Sequence, residues 1–252
     1  MTELEENIVD GENPKQEVEM TFLDHLEELR WRIIYSILGI LIGTVIAWIF
    51  IDFFVDKILL LPARTANFKL QNLRPFGQLF LYFQVAIMLG LIFSFPNVVY
   101  QLWRFIAPAL KSKERKYIKW IVMFTTFCFM CGVVFAYYIM LPLTLKFAAG
   151  FGSAAIQNNF SIEEYLSIVL NIILGAGLIF ELPMLSFFLS KIGLLTPKLM
   201  RKYRRHAIVV IMILAAFLSP GTDPVSQVLL AVPLVLLYEI SIFVSKIFQK
   251  KS

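Results

Sequence analysis

Long apolar runs separated by short polar or basic segments set the pattern of this chain. Four runs, about Ile33 to Ile51, Leu79 to Tyr100, Trp120 to Leu141 and Tyr165 to Ser190, are followed by two shorter ones, about Ala207 to Leu218 and Val228 to Tyr238. An apolar helix needs roughly 20 residues, at about 1.5 Å each, to cross a hydrocarbon core of roughly 30 Å. The pattern predicts an all-α, polytopic membrane protein with six transmembrane helices, the last two of them short. A run of about twelve residues reaches only about 18 Å, so either the final hairpin is buried against other helices or the bilayer thins around it.

Ahead of the first span lies a charged stretch, Phe22 to Arg32. Phe22, Leu26, Leu29 and Ile33 recur at steps of four, three and four, which is one helical stripe. Asp24, His25, Glu27, Glu28 and Arg30 fill the remaining faces. This predicts an amphipathic helix at the membrane surface, and Thr21 with Asp24 three residues on is a weak start signal.

Interruptions mark the ends and breaks of the spans. Gly39 and Gly43 give the first span a small face. Residues 52 to 77, with Asp52, Asp56, Lys57, Pro62 and Pro75, form an interfacial connection on the far side. Pro96 is expected to kink or end the second span. Tyr137, Tyr138 and Pro142 are expected to close the third, leaving residues 143 to 164 as a far-side loop. The fourth contains Asn171, Gly175, Gly177, Glu181 and Pro183. Glu239 is expected to break the sixth, after the turn from Ser219 to Pro224.

Composition agrees. At 59% apolar, 16% charged and a mean hydropathy of +0.75, the chain has more apolar sequence than a soluble core of 252 residues would bury. The first 28 residues hold ten acidic groups and one lysine, which is not a secretory leader. The expected organisation is an acidic disordered tail over 1–20, a membrane domain over 21–248 and a basic tail over 249–252. Cys128 and Cys131 have C-x-x-C spacing, but no histidine or further cysteine lies near them, so packing is expected and neither a metal nor another cofactor. Without a GxxxxGK[ST] loop, direct ATP hydrolysis is not supported. No intramembrane serine–histidine pair or aspartate pair points to a protease, so no enzyme is expected.

Basic residues orient the chain. With the amino terminus inside, the near-side segments hold eighteen of the 23 basic residues, and the far side holds Lys57, Arg64, Lys69, Arg74 and Lys146. Both termini are therefore expected in the cytoplasm.

Acids that break this pattern are the candidate functional groups. The two large near-side loops carry twelve basic residues and one acid, Glu114. It either pairs with Arg115 or Lys111 or joins the collar acids in accepting a cationic ligand, where a guanidinium gains from bidentate pairing. Glu181, placed in the membrane at a cost of about 3 kcal/mol, is expected to face a polar partner or a wet cavity. Asn171 is nearly opposite on the helix wheel, whereas Pro183 frees backbone carbonyls beside Glu181. Gln227 reads as a hydrogen bond between helices. A rival reading makes Glu181 the proton or cation site of an ion-coupled small-molecule transporter.

Several blocks resemble the TatC family, the multispanning core subunits of the twin-arginine protein translocase. They are DHLEELRWR at Asp24 to Arg32, FPNVVYQLWRFIAPAL at Phe95 to Leu110, KERK at Lys113 to Lys116, FELP at Phe180 to Pro183 and SQVLLAVPLVLLYEI at Ser226 to Ile240. The resemblance implies a receptor for the twin-arginine signal peptides of folded precursor proteins, driven by the proton-motive force. It implies TatA-type and TatB-type single-span partners, a homo-oligomer within the complex, contact with membrane lipid and no nucleic acid. The implied membrane is the plasma (inner) membrane of a bacterium, or that of an organelle encoding its own homologue. The implied signal-peptide positions are Glu28, Arg30, Phe105, Pro108, Leu110 and Glu114. Glu181 and Gln227 match partner-docking positions, while Pro62, Tyr137 and Pro183 read as structural or gating. Where many relatives place an aspartate before the fourth span, this chain offers Ser161, Glu163 and Glu164.

Overall fold

The charged collar and the first apolar run form one unbroken helix, α1 (Phe22–Ile49), since no proline interrupts its amide ladder. A computed structural model describes residues 22–66, 69–109, 118–150, 159–218 and 224–248. The expected tails at 1–20 and 249–252, Thr21, Leu110, Glu114 and most of the turn before Pro224 lie outside the described residues.

Helix α1 lies along α4 (Gly77–Ile106). The two backbones meet at Gly43 and Gly90, where a Cβ added to Gly43 would stand 2.7 Å from the Gly90 carbonyl oxygen. Lipid tails are as apolar as leucine, so close backbone approach through small residues, rather than burial from water, holds such a seam. The other face of α1, with Ile37, Leu41 and Val45, is exposed apolar surface suited to lipid.

Between α1 and α4 the far-side connection is mostly helical. It runs through α2 (Ile51–Phe53), a π turn (Phe54–Leu59) and α3 (Leu61–Thr65), with Pro62 in the first turn of α3, where a missing amide proton costs little. Strand β1 (Lys69–Gln71) then pairs in parallel with β2 (Asn159–Ser161), Lys69 opposite Asn159. This three-residue ladder joins two far-side connections and is the only strand pairing among the described residues.

The third span differs from the sequence expectation. Helix α5 (Ile118–Phe135) passes through a π turn (Ala136–Met140) into α6 (Leu141–Gly150), so Tyr137, Tyr138 and Pro142 do not close it. The wide turn lets the helix restart at Pro142 without the hydrogen bond that proline lacks. Pro96 likewise sits inside a continuous α4.

The rest of the chain comprises α7 (Ile162–Ile179), α8 (Leu182–Lys191), α9 (Pro197–Lys202), α10 (Arg204–Leu218) and α11 (Pro224–Phe248). Among the described residues, five segments are long and apolar enough to cross a membrane: Leu23–Ile49, Gly77–Ile106, Ile118–Ala148, Ile162–Lys191 and Leu230–Ile247. Helix α10, at 15 residues, stays short as expected. The final helix does not. It spans 25 residues and continues past Glu239, because that carboxylate is neutralised by Arg204 at 2.6 Å instead of ending the run.

The buried core includes Phe129 of α5, Leu166, Leu170 and Ile172 of α7, and Leu230 and Leu234 of α11; α7 packs on α5, while α11 packs chiefly on α8 and α10. Phe95 of α4 stacks on Phe129 with centroids 3.6 Å apart, joining the first helix pair to the rest.

Candidate functional site

At the near-side end the collar folds onto the last turns of α4. His25 stacks on Phe105, with centroids 4.4 Å apart and planes 17° from parallel. Two turns further along α1, Arg32 donates to Glu28 at 2.9 Å and to Gln101 Oε1 at 3.2 Å. Gln101 donates to Asn97 Oδ1 at 3.4 Å, and Asn97 donates to the Tyr35 carbonyl at 3.2 Å. A polar chain thus runs between two helices that are otherwise apolar.

This chain borders an open cavity of about 560 Å³, lined by Glu28, Trp31, Arg32, Tyr35, Tyr100, Gln101 and Arg104. Arg104 covers the Tyr100 ring, its guanidinium carbon 5.8 Å from the centroid. Glu28 Oε2 and Arg32 Nε are buried without a hydrogen-bond partner among the described residues. A carboxylate oxygen left in this way retains capacity for a further charge-assisted donor.

Of the residues singled out for signal-peptide binding, Glu28 lines the cavity and Phe105 holds the collar beside it. Pro108 is partly buried in the single 3-10 turn after α4, Ala107–Ala109. Arg30 is exposed and is not among the lining residues. Arg32, Tyr100, Gln101 and Arg104 were not singled out. The four-residue spacing of Glu28 and Arg32 was a usable signal for the first of them, whereas the α4 residues required the register of the two helices.

The membrane acid occupies a helix break. Helix α7 ends at Ile179 and α8 begins at Leu182, with Glu181 between them and Pro183 unable to donate a backbone hydrogen bond. The Glu181 side chain is buried, and its Oε1 has no hydrogen-bond partner among the described residues. Asn171 is exposed, so the two do not form a pair. Gln227 Nε2 donates to the Met212 carbonyl at 2.9 Å, the interhelical bond its position suggested.

On the far side, Tyr137 donates to the Ile58 carbonyl at 2.8 Å and Tyr165 to the Leu59 carbonyl at 2.7 Å. Together they hold the π turn that leads to Pro62. Of the three residues before the fourth span, Ser161 is buried at the helix start without a side-chain cap, and Glu163 pairs with Arg74 at 3.2 Å. Glu164 makes no ion pair among the described residues.

These features define a polytopic, all-α membrane protein with a polar, aromatic-lined recess at one end and a lone acid at a helix break. Residues 24–233 match the family model of the Sec-independent protein translocase protein (TatC). The TatC protein of Carboxydothermus hydrogenoformans is 38% identical, over 92% of this chain and 95% of its own length. That of Aquifex aeolicus is also 38% identical, over 92% and 97%. A crystal structure of a twin-arginine translocase receptor, TatC, superposes with a TM-score of 0.81 at 39% identity, covering 88% of this chain and 98% of that one. The chain belongs to the TatC family: it is a translocase subunit and not an enzyme, and the transporter reading of Glu181 gives way.

Proposed function

We propose that this chain is the signal-peptide receptor and core of a twin-arginine translocase, and that the near-side recess takes the arginine pair. The observation that carries this reading is Glu28, which lines the open cavity and whose Oε2 has no hydrogen-bond partner among the described residues. Trp31, Tyr35 and Tyr100 supply aromatic faces, which attract a guanidinium. Arg32 and Arg104 line the same cavity and oppose a cationic ligand, so a second carboxylate is needed. Glu114, in the segment that follows α4, is the candidate, and Pro108 and Leu110 are assigned to the same peptide site. Arg30, exposed on the collar, faces the flanking part of the peptide.

In this reading six spans place both termini in the cytoplasm, and the membrane is the plasma membrane of a bacterium. The proton-motive force drives export of folded precursors. TatA-type and TatB-type single-span subunits dock beside Glu181 and Gln227, and several copies of the chain assemble. Pro62, Tyr137 and Pro183 hold the far-side cap and the helix break in shape. Photocrosslinking from positions 28 and 114 to a twin-arginine precursor tests the assignment. Adducts to the arginine region from both positions support it, and adducts from neither overturn it.

A further inference from the structure

A second charged recess lies at the junction of α9, α10 and α11, away from the collar. It measures about 260 Å³ and is lined by Arg201, Arg204, Glu239, Ile242, Phe243 and Lys246. Arg204 is bound to Glu239 at 2.6 Å, while Arg201 and Lys246 make no ion pair among the described residues. Both are exposed, so the recess presents two free cations in addition to a neutralised pair. The Tyr238 hydroxyl donates to the Met200 carbonyl at 2.8 Å, fixing α9 against α11 and with it the position of Arg201.

The recess sits at the end of a spanning helix. Lys246 is in the last turn of α11, and Leu230–Ile247 is a candidate span. Alongside it Leu236, Ile240, Phe243 and Ile247, at steps of four, three and four, form one exposed apolar stripe along the helix. All four side chains are large. Helices that pack closely in lipid do so through small residues, so this stripe suits fluid acyl chains better than a docked helix. Basic recesses between spans are the usual seat of anionic headgroups.

We propose that this recess binds an anionic glycerophospholipid. Its phosphate rests on Arg201 and Lys246, and its acyl chain lies along Leu236, Ile240, Phe243 and Ile247. Glu239 serves to hold Arg204 at the rim and does not contact the lipid.

Native mass spectrometry of the full chain, released from nanodiscs of mixed phosphatidylglycerol and phosphatidylcholine, tests this. Wild type is expected to retain phosphatidylglycerol preferentially. In the R201Q/K246Q double variant that preference falls by about thirtyfold, roughly the loss of two cations at a charged surface. K119Q, an exposed lysine on α5 outside the recess, keeps it. Equal retention of the two lipids, an unchanged double variant, or the same loss in K119Q each overturns the proposal. So does displacement of the lipid by free glycerol phosphate, which would make the recess a headgroup pocket without a chain site, or by a single-span partner helix, which would make the stripe a protein interface.

Discussion

Glu28 and Arg32 are joined at 2.9 Å across one turn of α1, yet each keeps one buried polar atom without a partner among the described residues. The pair is held at the boundary of protein and cavity, where neither charge is fully solvated or fully satisfied. Breaking it frees the Glu28 carboxylate for another donor.

If Glu28 takes the arginine pair as proposed, Arg32 competes with that pair for it. In R32Q, a twin-arginine peptide is expected to bind at least as tightly as to wild type, and at low salt several-fold more tightly. Fluorescence anisotropy with a labelled peptide measures this. A loss of affinity in a folded R32Q protein would show that Arg32 supports the ligand and does not oppose it.

Glu181 lies at the α7–α8 break and not in the near-side recess. Glu181→Ala should abolish crosslinks to single-span partners while leaving peptide affinity within about twofold, since the two sites share no contact and distant substitutions act independently. Undiminished partner crosslinks would remove Glu181 from the docking role.

The first four spans were legible because each is a long apolar run, and the collar because its stripe continues into α1. The same reading misplaced two ends. Pro142 looked like a stop, but a π turn absorbs it, and hydropathy carries no signal for such a turn. Glu239 looked like a break, but its partner Arg204 is thirty-five residues away in sequence. In the recess, Glu28 was legible as an acid in the collar. Tyr100, Gln101 and Arg104 were not, since only the α1–α4 crossing brings them to it. The β1–β2 ladder is three residues long and has no alternation that a sequence would reveal.

Tyr137 and Tyr165 each give one hydrogen bond to the π turn. Tyr137→Phe and Tyr165→Phe should each destabilise the protein by about 1 kcal/mol, the usual net worth of such a bond. Thermal unfolding in detergent reads this as a lowered midpoint. Midpoints equal to wild type in both variants would mean the far-side cap is held by packing alone.

Gly90 faces the α1 backbone closely enough that an added Cβ would stand 2.7 Å from the Thr44 Cα. Gly90→Leu should cost about 1 to 3 kcal/mol by overpacking the seam. Gly150→Leu, where a Cβ meets nothing within 4 Å, should stay within about 0.5 kcal/mol. Comparable losses in the two variants, measured by the same unfolding assay, would argue that α1 is not seated on α4 as described.

The Glu28 carboxylate is proposed to accept an arginine of the signal peptide, and Glu28→Gln tests this by keeping the side chain's shape while removing its charge. Titration of a twin-arginine peptide against the folded variant should show affinity reduced by about 1.5 to 3 kcal/mol, or roughly tenfold to a hundredfold. A lysine-substituted peptide should lose less between wild type and variant, since it lacks the bidentate fork. An affinity equal to wild type in the folded Glu28→Gln protein would contradict the account.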